Sequence, residues 1–138
     1  MRRYIKKWMV FLCVIVLVIA TGTMVHAETV SFYITITGTG YNQDNVSKRA
    51  EKTGGEDLWF INPSHFSQAG GRADFRSVQV NNTSMASPYY LVTDMDIGEE
   101  LPLRYQKNVP ENVYYFLEAH YRADCPGDVM NVSGTYTP

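Results

Sequence analysis

The sequence has too few cysteines for a disulfide framework and few residues suited to nucleophilic catalysis. It contains two cysteines and three histidines among 138 residues. Cys13 lies in an apolar N-terminal run, so Cys125 is the only cysteine in the rest of the chain and no intramolecular disulfide can form there. Because Asp124 and Asp128 flank Cys125 and disfavour a thiolate, a tolerated turn cysteine is favoured over a reactive thiol or a link to another chain.

The N-terminus has the pattern of a secretory signal peptide. A basic stretch over residues 2–8 precedes an apolar run over residues 9–20, and Val25 and Ala27 then place small or modest side chains before Glu28. The sequence therefore predicts export by the general secretory pathway and cleavage between Ala27 and Glu28. The alternative is an uncleaved membrane anchor, but the uninterrupted run is shorter than the roughly 20 apolar residues that a span needs.

The remaining chain also lacks a surplus of positive charge. Four of the twelve Lys and Arg residues lie in the leader, which leaves eight against fourteen Asp and Glu and gives a net charge of −6. A nucleic-acid-binding protein usually carries a basic patch, so DNA, RNA and anionic membrane surfaces are not expected partners. Contact with the membrane is expected only through the signal peptide, before it is cleaved. Residues 28–138 are about the size of one domain that can form its own core. No cofactor is expected.

Strong helical patterns are missing as well, whereas two-residue alternation is frequent. Short strands are predicted over residues 29–37, 58–61, 73–80, 88–93, 103–106 and 113–122, and a last strand has Met130, Val132, Gly134 and Tyr136 on one face. Gly, Pro and Asn residues separate these segments. The sequence thus predicts an all-β fold, a small antiparallel sandwich or partly open barrel of six to seven strands, preceded by a signal-peptide helix.

Several local details complete this prediction. Residues 38–56 form a polar loop with a short helical turn near residues 46–52, and Asn62-Pro63 ends the second strand. The strand over residues 103–106 pairs with the one over residues 88–93, and the last two strands form a C-terminal hairpin around Cys125.

Tyrosine is abundant, with nine of ten tyrosines outside the leader. Tyr89-Tyr90 and Tyr114-Tyr115 form doublets whose members must point to opposite faces of a strand. Exposed aromatic rings can stack on sugars or anchor a protein interface, so these four residues are candidate binding residues for cell-wall glycan or another envelope protein.

Two polar segments are candidates for another kind of site. Asp94, Asp96, Glu99 and Glu100 resemble the opening of a calcium loop, but Gly98 occupies a ligand position and the distant bidentate Glu is missing, so a solvated turn is favoured over a metal site. His65 follows Ser64, yet adjacency in sequence is not the geometry of a catalytic pair. A small enzyme or inhibitor that uses the His65 loop or this acidic turn remains the alternative function.

The C-terminal third resembles an uncharacterised family of small secreted proteins of Gram-positive bacteria. The similarity lies in the segment over residues 103–110 and in the ending Val132-Ser133-Gly134, one residue, an aromatic, one residue and Pro138. In that family the aromatic is commonly Trp, where this chain has Tyr136. The resemblance implies an exported β-domain and transfers no active site. We therefore expect a secreted, non-enzymatic domain that binds at the cell envelope or in the extracellular space.

Overall fold

The computed structural model describes residues 27–37, 46–122 and 129–138, which form two antiparallel β-sheets packed face to face. The sheets do not close into a barrel, so the prediction of an all-β sandwich is confirmed. The predictions for the leader before residue 27 and for the turn that contains Cys125 lie outside the described residues. Within the described ranges, no helix has the length and hydrophobicity needed to cross a membrane.

Nine strands make up the two sheets of the described chain. They are β1 (Val30–Thr37), β2 (Val46–Lys52), β3 (Leu58–Phe66), β4 (Arg72–Gln79), β5 (Asn82–Ala86), β6 (Tyr90–Thr93), β7 (Leu101–Arg104), β8 (Val113–Tyr121) and β9 (Val129–Thr137). Sheet I has the order β1-β9-β3-β7, and sheet II has the order β2-β8-β4, with β5 and β6 both pairing with the other side of β4. A short 3₁₀ helix over Asp94–Asp96 follows β6.

One hydrophobic core lies between the sheets. The alternation seen in the sequence supplies it: Ile34 and Ile36 of β1, Phe75 of β4 and Leu117 of β8 are all fully buried. On β9, Met130, Val132, Gly134 and Tyr136 share one face as predicted, and this face is buried. Trp59 of β3 packs edge-on against the Tyr136 ring, with ring centroids 6.1 Å apart.

The helical turn predicted near residues 46–52 is wrong, because this segment is strand β2. Ala50 and Lys52 point inward and are buried, and β2 pairs with β8. β2 lies at the edge of sheet II, where the outward positions are polar, and its pairing is interrupted by a register shift between Val46 and Arg49. An edge strand with one apolar inward residue gives almost no alternation signal.

Strand β3 does not stop at Asn62-Pro63 as predicted but continues to Phe66. A proline cannot donate to a sheet ladder, and β3 accommodates it by a register shift between Pro63 and His65. On β9, Gly134 faces Pro63 at this position. A Cβ atom on Gly134 would lie 2.2 Å from the Asn62 carbonyl oxygen, so only glycine permits this close approach.

Both predicted hairpins are wrong, because consecutive strands cross between the sheets. β6 pairs with β4 in sheet II while β7 pairs with β3 in sheet I. Likewise β8 lies in sheet II between β2 and β4, whereas β9 lies in sheet I between β1 and β3. Each of these strands has one buried face, and placing neighbours in opposite sheets lets both faces meet in one core.

Candidate functional site

The outward surface of sheet I is rich in hydroxyl and amide side chains. Strands β1 and β9 pair with Tyr33 opposite Ser133, and alternate residues on each strand face away from the core. We call this surface the hydroxyl face, and its members are Ser31, Tyr33, Thr35, Asn62, Ser64, Asn131, Ser133 and Thr135.

Tyr33 is the most exposed aromatic residue of the described chain, with 66% of its surface accessible. It lies on an edge strand with Ser31 and Thr35 two positions away on either side. The outward-facing side chains of β1 and β9 carry no formal charge. An aromatic ring is therefore presented to solvent in a neutral, hydrogen-bonding surrounding.

Hydrogen bonds between neighbouring strands orient the polar groups of the hydroxyl face. Thr35 Oγ1 donates to Asn131 Oδ1 over 2.8 Å, and the hydroxyls of Ser64 and Ser133 lie 3.1 Å apart. Each hydroxyl can both donate and accept, so these groups keep hydrogen-bonding capacity for a ligand. A partly ordered polar surface loses less side-chain entropy when it binds.

A shallow depression of about 360 Å³ lies beside Tyr33 on the same face. Its lining includes Ser31, Asn62, Ser64, Ser133 and Thr135. Ser31 adjoins Tyr33 along the strand, and Ser133 lies directly across from it. The arrangement combines an exposed ring with a neighbouring recess lined by neutral polar groups.

The outward surface of sheet II has a different chemistry, because several of its charged side chains form ion pairs with one another. Arg76 Nε donates to Glu118 across β4 and β8, and Arg122 contacts Asp74 with its Nη1 3.1 Å from Oδ1. The Glu118 carboxylate also lies 3.3 Å from His120 Nε2. Such a network covers the sheet with internally satisfied polar groups.

The four tyrosines predicted as binding residues have four different surroundings. Tyr89 stacks on His120 with ring centroids 4.3 Å apart, and its hydroxyl lies 2.7 Å from His120 Nε2. Tyr114 is half exposed on the outer face of sheet II, whereas Tyr115 is fully buried in the core. A surface ligand can reach Tyr114 but not Tyr115 in this conformation.

Tyr90 connects the two sheets at one edge of the sandwich. Its hydroxyl donates to the Arg104 carbonyl over 2.7 Å and accepts from the Arg104 amide over 3.3 Å. The ring also packs edge-on against Trp59. Since Arg104 ends the edge strand β7, Tyr90 satisfies backbone groups that an edge strand otherwise presents to solvent.

The acidic turn uses two of its four carboxylates to hold the backbone. Asp94 Oδ2 accepts from the Gly70 amide over 2.7 Å, and Asp96 Oδ2 accepts from both the amide and the hydroxyl of Thr93. Glu99 and Glu100 are exposed. In the part of the chain that the structure describes, no group of three or more His, Cys, Asp or Glu residues is arranged to hold a metal ion.

His65 is exposed on β3, directly after the register shift at Pro63. The Gly98 amide donates to the Pro63 carbonyl over 2.9 Å, so the His65 segment and the acidic turn touch through their backbones. His65 lines neither the depression on the hydroxyl face nor the larger cleft near Lys52. The contact joins the two segments without placing their side chains around one of these cavities.

Comparisons with models of protein families, with curated proteins and with solved structures find no match to this chain. Sequence reasoning overlooked Tyr33, although the same alternation that predicts β1 places Ser31, Tyr33 and Thr35 together on its outward face.

Proposed function

We propose that the protein is an exported, non-enzymatic domain that binds neutral carbohydrate of the cell envelope through the hydroxyl face. The observation that carries this proposal is the position of Tyr33, which is 66% exposed and surrounded by uncharged hydroxyl and amide groups. Its exposed ring offers a large, rigid and amphipathic contact surface to a ligand.

The chemistry of the hydroxyl face suits a polyol. Sugar hydroxyls need partners that both donate and accept, and Ser, Thr and Asn side chains do both. The apolar face of a sugar ring can pack on the Tyr33 ring, whose hydroxyl end stays in water. The strands hold these groups on a regular surface, along which an extended glycan chain can lie.

Charge favours a neutral ligand. The predicted mature chain has a net charge of −6, and the hydroxyl face itself contributes no positive charge to offset it. An acidic polysaccharide would be repelled at long range and would find no cation among these residues. A neutral wall polysaccharide has no such penalty.

Export is the second part of the proposal. Its support is the basic N-terminus followed by an apolar run and by small residues before Glu28, together with the resemblance of the C-terminal third to small secreted proteins. A domain outside the cytoplasm would meet wall glycan at high local concentration.

The decisive experiment compares two tyrosines of similar exposure on opposite sheets. Protein secreted by a bacterial host is incubated with insoluble cell wall and with soluble neutral polysaccharide, and retention is measured for wild type, Tyr33→Ala and Tyr114→Ala. We expect Tyr33→Ala to weaken retention by about tenfold or more, because removing a central aromatic from a binding surface costs over about 1 kcal/mol. Tyr114→Ala is expected to bind like wild type.

Two results would contradict the proposal. Loss of retention in Tyr114→Ala alone would move the binding surface to sheet II. Failure of the wild-type protein to bind any of the glycans, with its far-ultraviolet circular dichroism intact, would remove carbohydrate binding altogether.

A further inference from the structure

A second cavity lies where the end of β2, the start of β3 and the end of β9 meet. It is an open cleft of about 720 Å³. Leu58, Phe60 and Pro138 contribute apolar wall, and Lys52, Glu56 and Glu100 contribute charged groups. Ala27 also lines the cleft, so cleavage before Glu28 would remove this part of its wall.

Lys52 is the unusual residue of this cleft, because only 2% of its surface is exposed. Its Nζ donates to the Leu58 carbonyl over 3.1 Å and lies 5.2 Å from the centre of the Tyr105 ring. An ammonium group has three donors. Among the described residues, the Leu58 carbonyl is the one hydrogen-bond acceptor that contacts it.

The electrostatic surroundings of Lys52 are those of a charge without a contacting counterion. Burial lowers the pKa of Lys52, while the more distant carboxylates of Asp57, Glu56 and Glu111 oppose this change. None of these carboxylates forms an ion pair with Nζ in the described structure. Buried ammonium groups are normally paired, so a carboxylate that entered the cleft would supply the missing partner.

The mouth of the cleft carries negative charge, opposite to the positive charge of Lys52. Glu56 and Glu100 line it and are both exposed, whereas Lys52 is buried. A second negative charge on a ligand would meet these two carboxylates, and a positive charge would be attracted to them. Leu58 and Phe60 line the same cleft and offer apolar contact.

We propose that this cleft binds a small apolar α-amino acid as its zwitterion, with the ligand carboxylate on Lys52 and the ligand ammonium toward Glu56 and Glu100. The apolar side chain of the ligand packs on Leu58 and Phe60. This site is separate from the hydroxyl face and does not depend on carbohydrate binding.

Three probes that share the leucine side chain test the charge requirements. Leucine carries both charges, N-acetylleucine keeps only the carboxylate and leucinamide keeps only the ammonium. Binding to secreted protein is followed by isothermal titration calorimetry and by ligand-observed nuclear magnetic resonance. We expect leucine to bind best, N-acetylleucine to bind several-fold more weakly and leucinamide to show no saturable binding. Equal binding of leucine and leucinamide, or no binding of leucine, would overturn the proposal.

Variants then assign the two charges to residues. Lys52→Met removes the ammonium while retaining a long buried side chain, and it should weaken leucine binding by about tenfold or more, because a charge-assisted hydrogen bond is lost. Lys48→Met, at an exposed position of the same strand, is the matched control and should bind like wild type. Leucine binding by Lys52→Met at wild-type strength would overturn the assignment.

The mouth can be tested without disturbing the core. Glu56 and Glu100 are exposed, so a Glu56→Gln/Glu100→Gln variant should fold normally. It should reduce the preference for leucine over N-acetylleucine, whereas Glu99→Gln should preserve it. An unchanged preference in the double variant would remove the proposed role of the two carboxylates.

Discussion

The hydroxyls of Ser77 and Tyr136 lie 2.6 Å apart inside the core and join β4 of sheet II to β9 of sheet I. The Tyr105 hydroxyl lies 2.5 Å from the same Ser77 oxygen, and all three residues are buried. One serine thus hydrogen-bonds to two buried phenol groups, which also hydrogen-bond to each other. This polar contact fixes how the two sheets are aligned, since a shift of one strand would break both hydrogen bonds.

Ser77→Ala should destabilise the fold by about 1–3 kcal/mol, the usual cost of leaving buried polar groups without a hydrogen-bond partner. The free energy of unfolding, measured in urea by circular dichroism, tests this. Ser84→Ala is the control, because Ser84 is exposed and should change stability little. Equal stability of the two variants would mean that the tyrosines find other partners in the core.

The buried tyrosines predict sensitivity to alkali. Burial raises the pKa of Tyr115 to about 12, and burial also raises the pKa values of Tyr105 and Tyr136. The unfolded chain ionises its tyrosines near pH 10, so the unfolded state loses protons first. The stabilising contribution of these protonated phenols is complete below about pH 10 and declines as the pH rises through about 10 to 12.

Tyrosinate absorbance and circular dichroism should report this together. We expect part of the tyrosinate absorbance to appear only when the β-sheet signal in circular dichroism is lost. In Tyr115→Phe, the free energy of unfolding should fall less steeply with pH over the same range. Complete ionisation of all tyrosines in a protein that keeps its native circular dichroism would contradict this account.

The sequence is sufficient to predict the strands in which buried and exposed residues alternate. In β1 the buried residues Phe32, Ile34 and Ile36 alternate with more exposed ones, and in β8 the buried Tyr115 and Leu117 do the same. Both strands form where predicted. Strand pairing was not predictable in the same way. Alternation shows that a strand has one buried face, but it does not show which sheet contains the strand, so β8 and β9 were wrongly joined as a hairpin.

The candidate sites are predictable to the same extent: the sequence indicates which face a residue lies on but not what it contacts. A tyrosine doublet guarantees opposite faces, which is why Tyr114 is exposed and Tyr115 is buried. It does not reveal contacts made across the sandwich, such as the two hydrogen bonds of Tyr90 with Arg104. Nor can composition identify Lys52 as buried, because lysine is almost always exposed and its burial results from the packing of distant segments.

Gly134 provides a third prediction, because its lack of a side chain allows β9 to approach Pro63. A Cβ atom there would lie 2.2 Å from the Asn62 oxygen and 2.9 Å from Pro63 Cα, both backbone atoms. Gly134→Ala should therefore destabilise the protein by at least about 1–3 kcal/mol through overpacking.

Gly54→Ala is the matched control, since no atom lies within 4 Å of the position its Cβ would take. It should leave the urea midpoint of unfolding close to that of wild type. If Gly134→Ala were equally well tolerated, the close approach of β9 to Pro63 could not be a requirement of the fold.

The expected processing site gives the last prediction. The Glu28 amide donates to the Glu51 carbonyl over 3.1 Å, and Glu28 Oε2 accepts from the Glu51 amide over 3.0 Å, so residue 28 is bound to β2. We expect N-terminal sequencing and intact mass of secreted protein to give a chain that begins at Glu28. Ala27→Phe should leave unprocessed precursor, because a signal peptidase reads a small residue there, whereas Glu28→Gln should be processed normally. Full-length protein recovered from the cytosol would rule out export, and it would also separate the carbohydrate-binding surface from any role at the cell envelope.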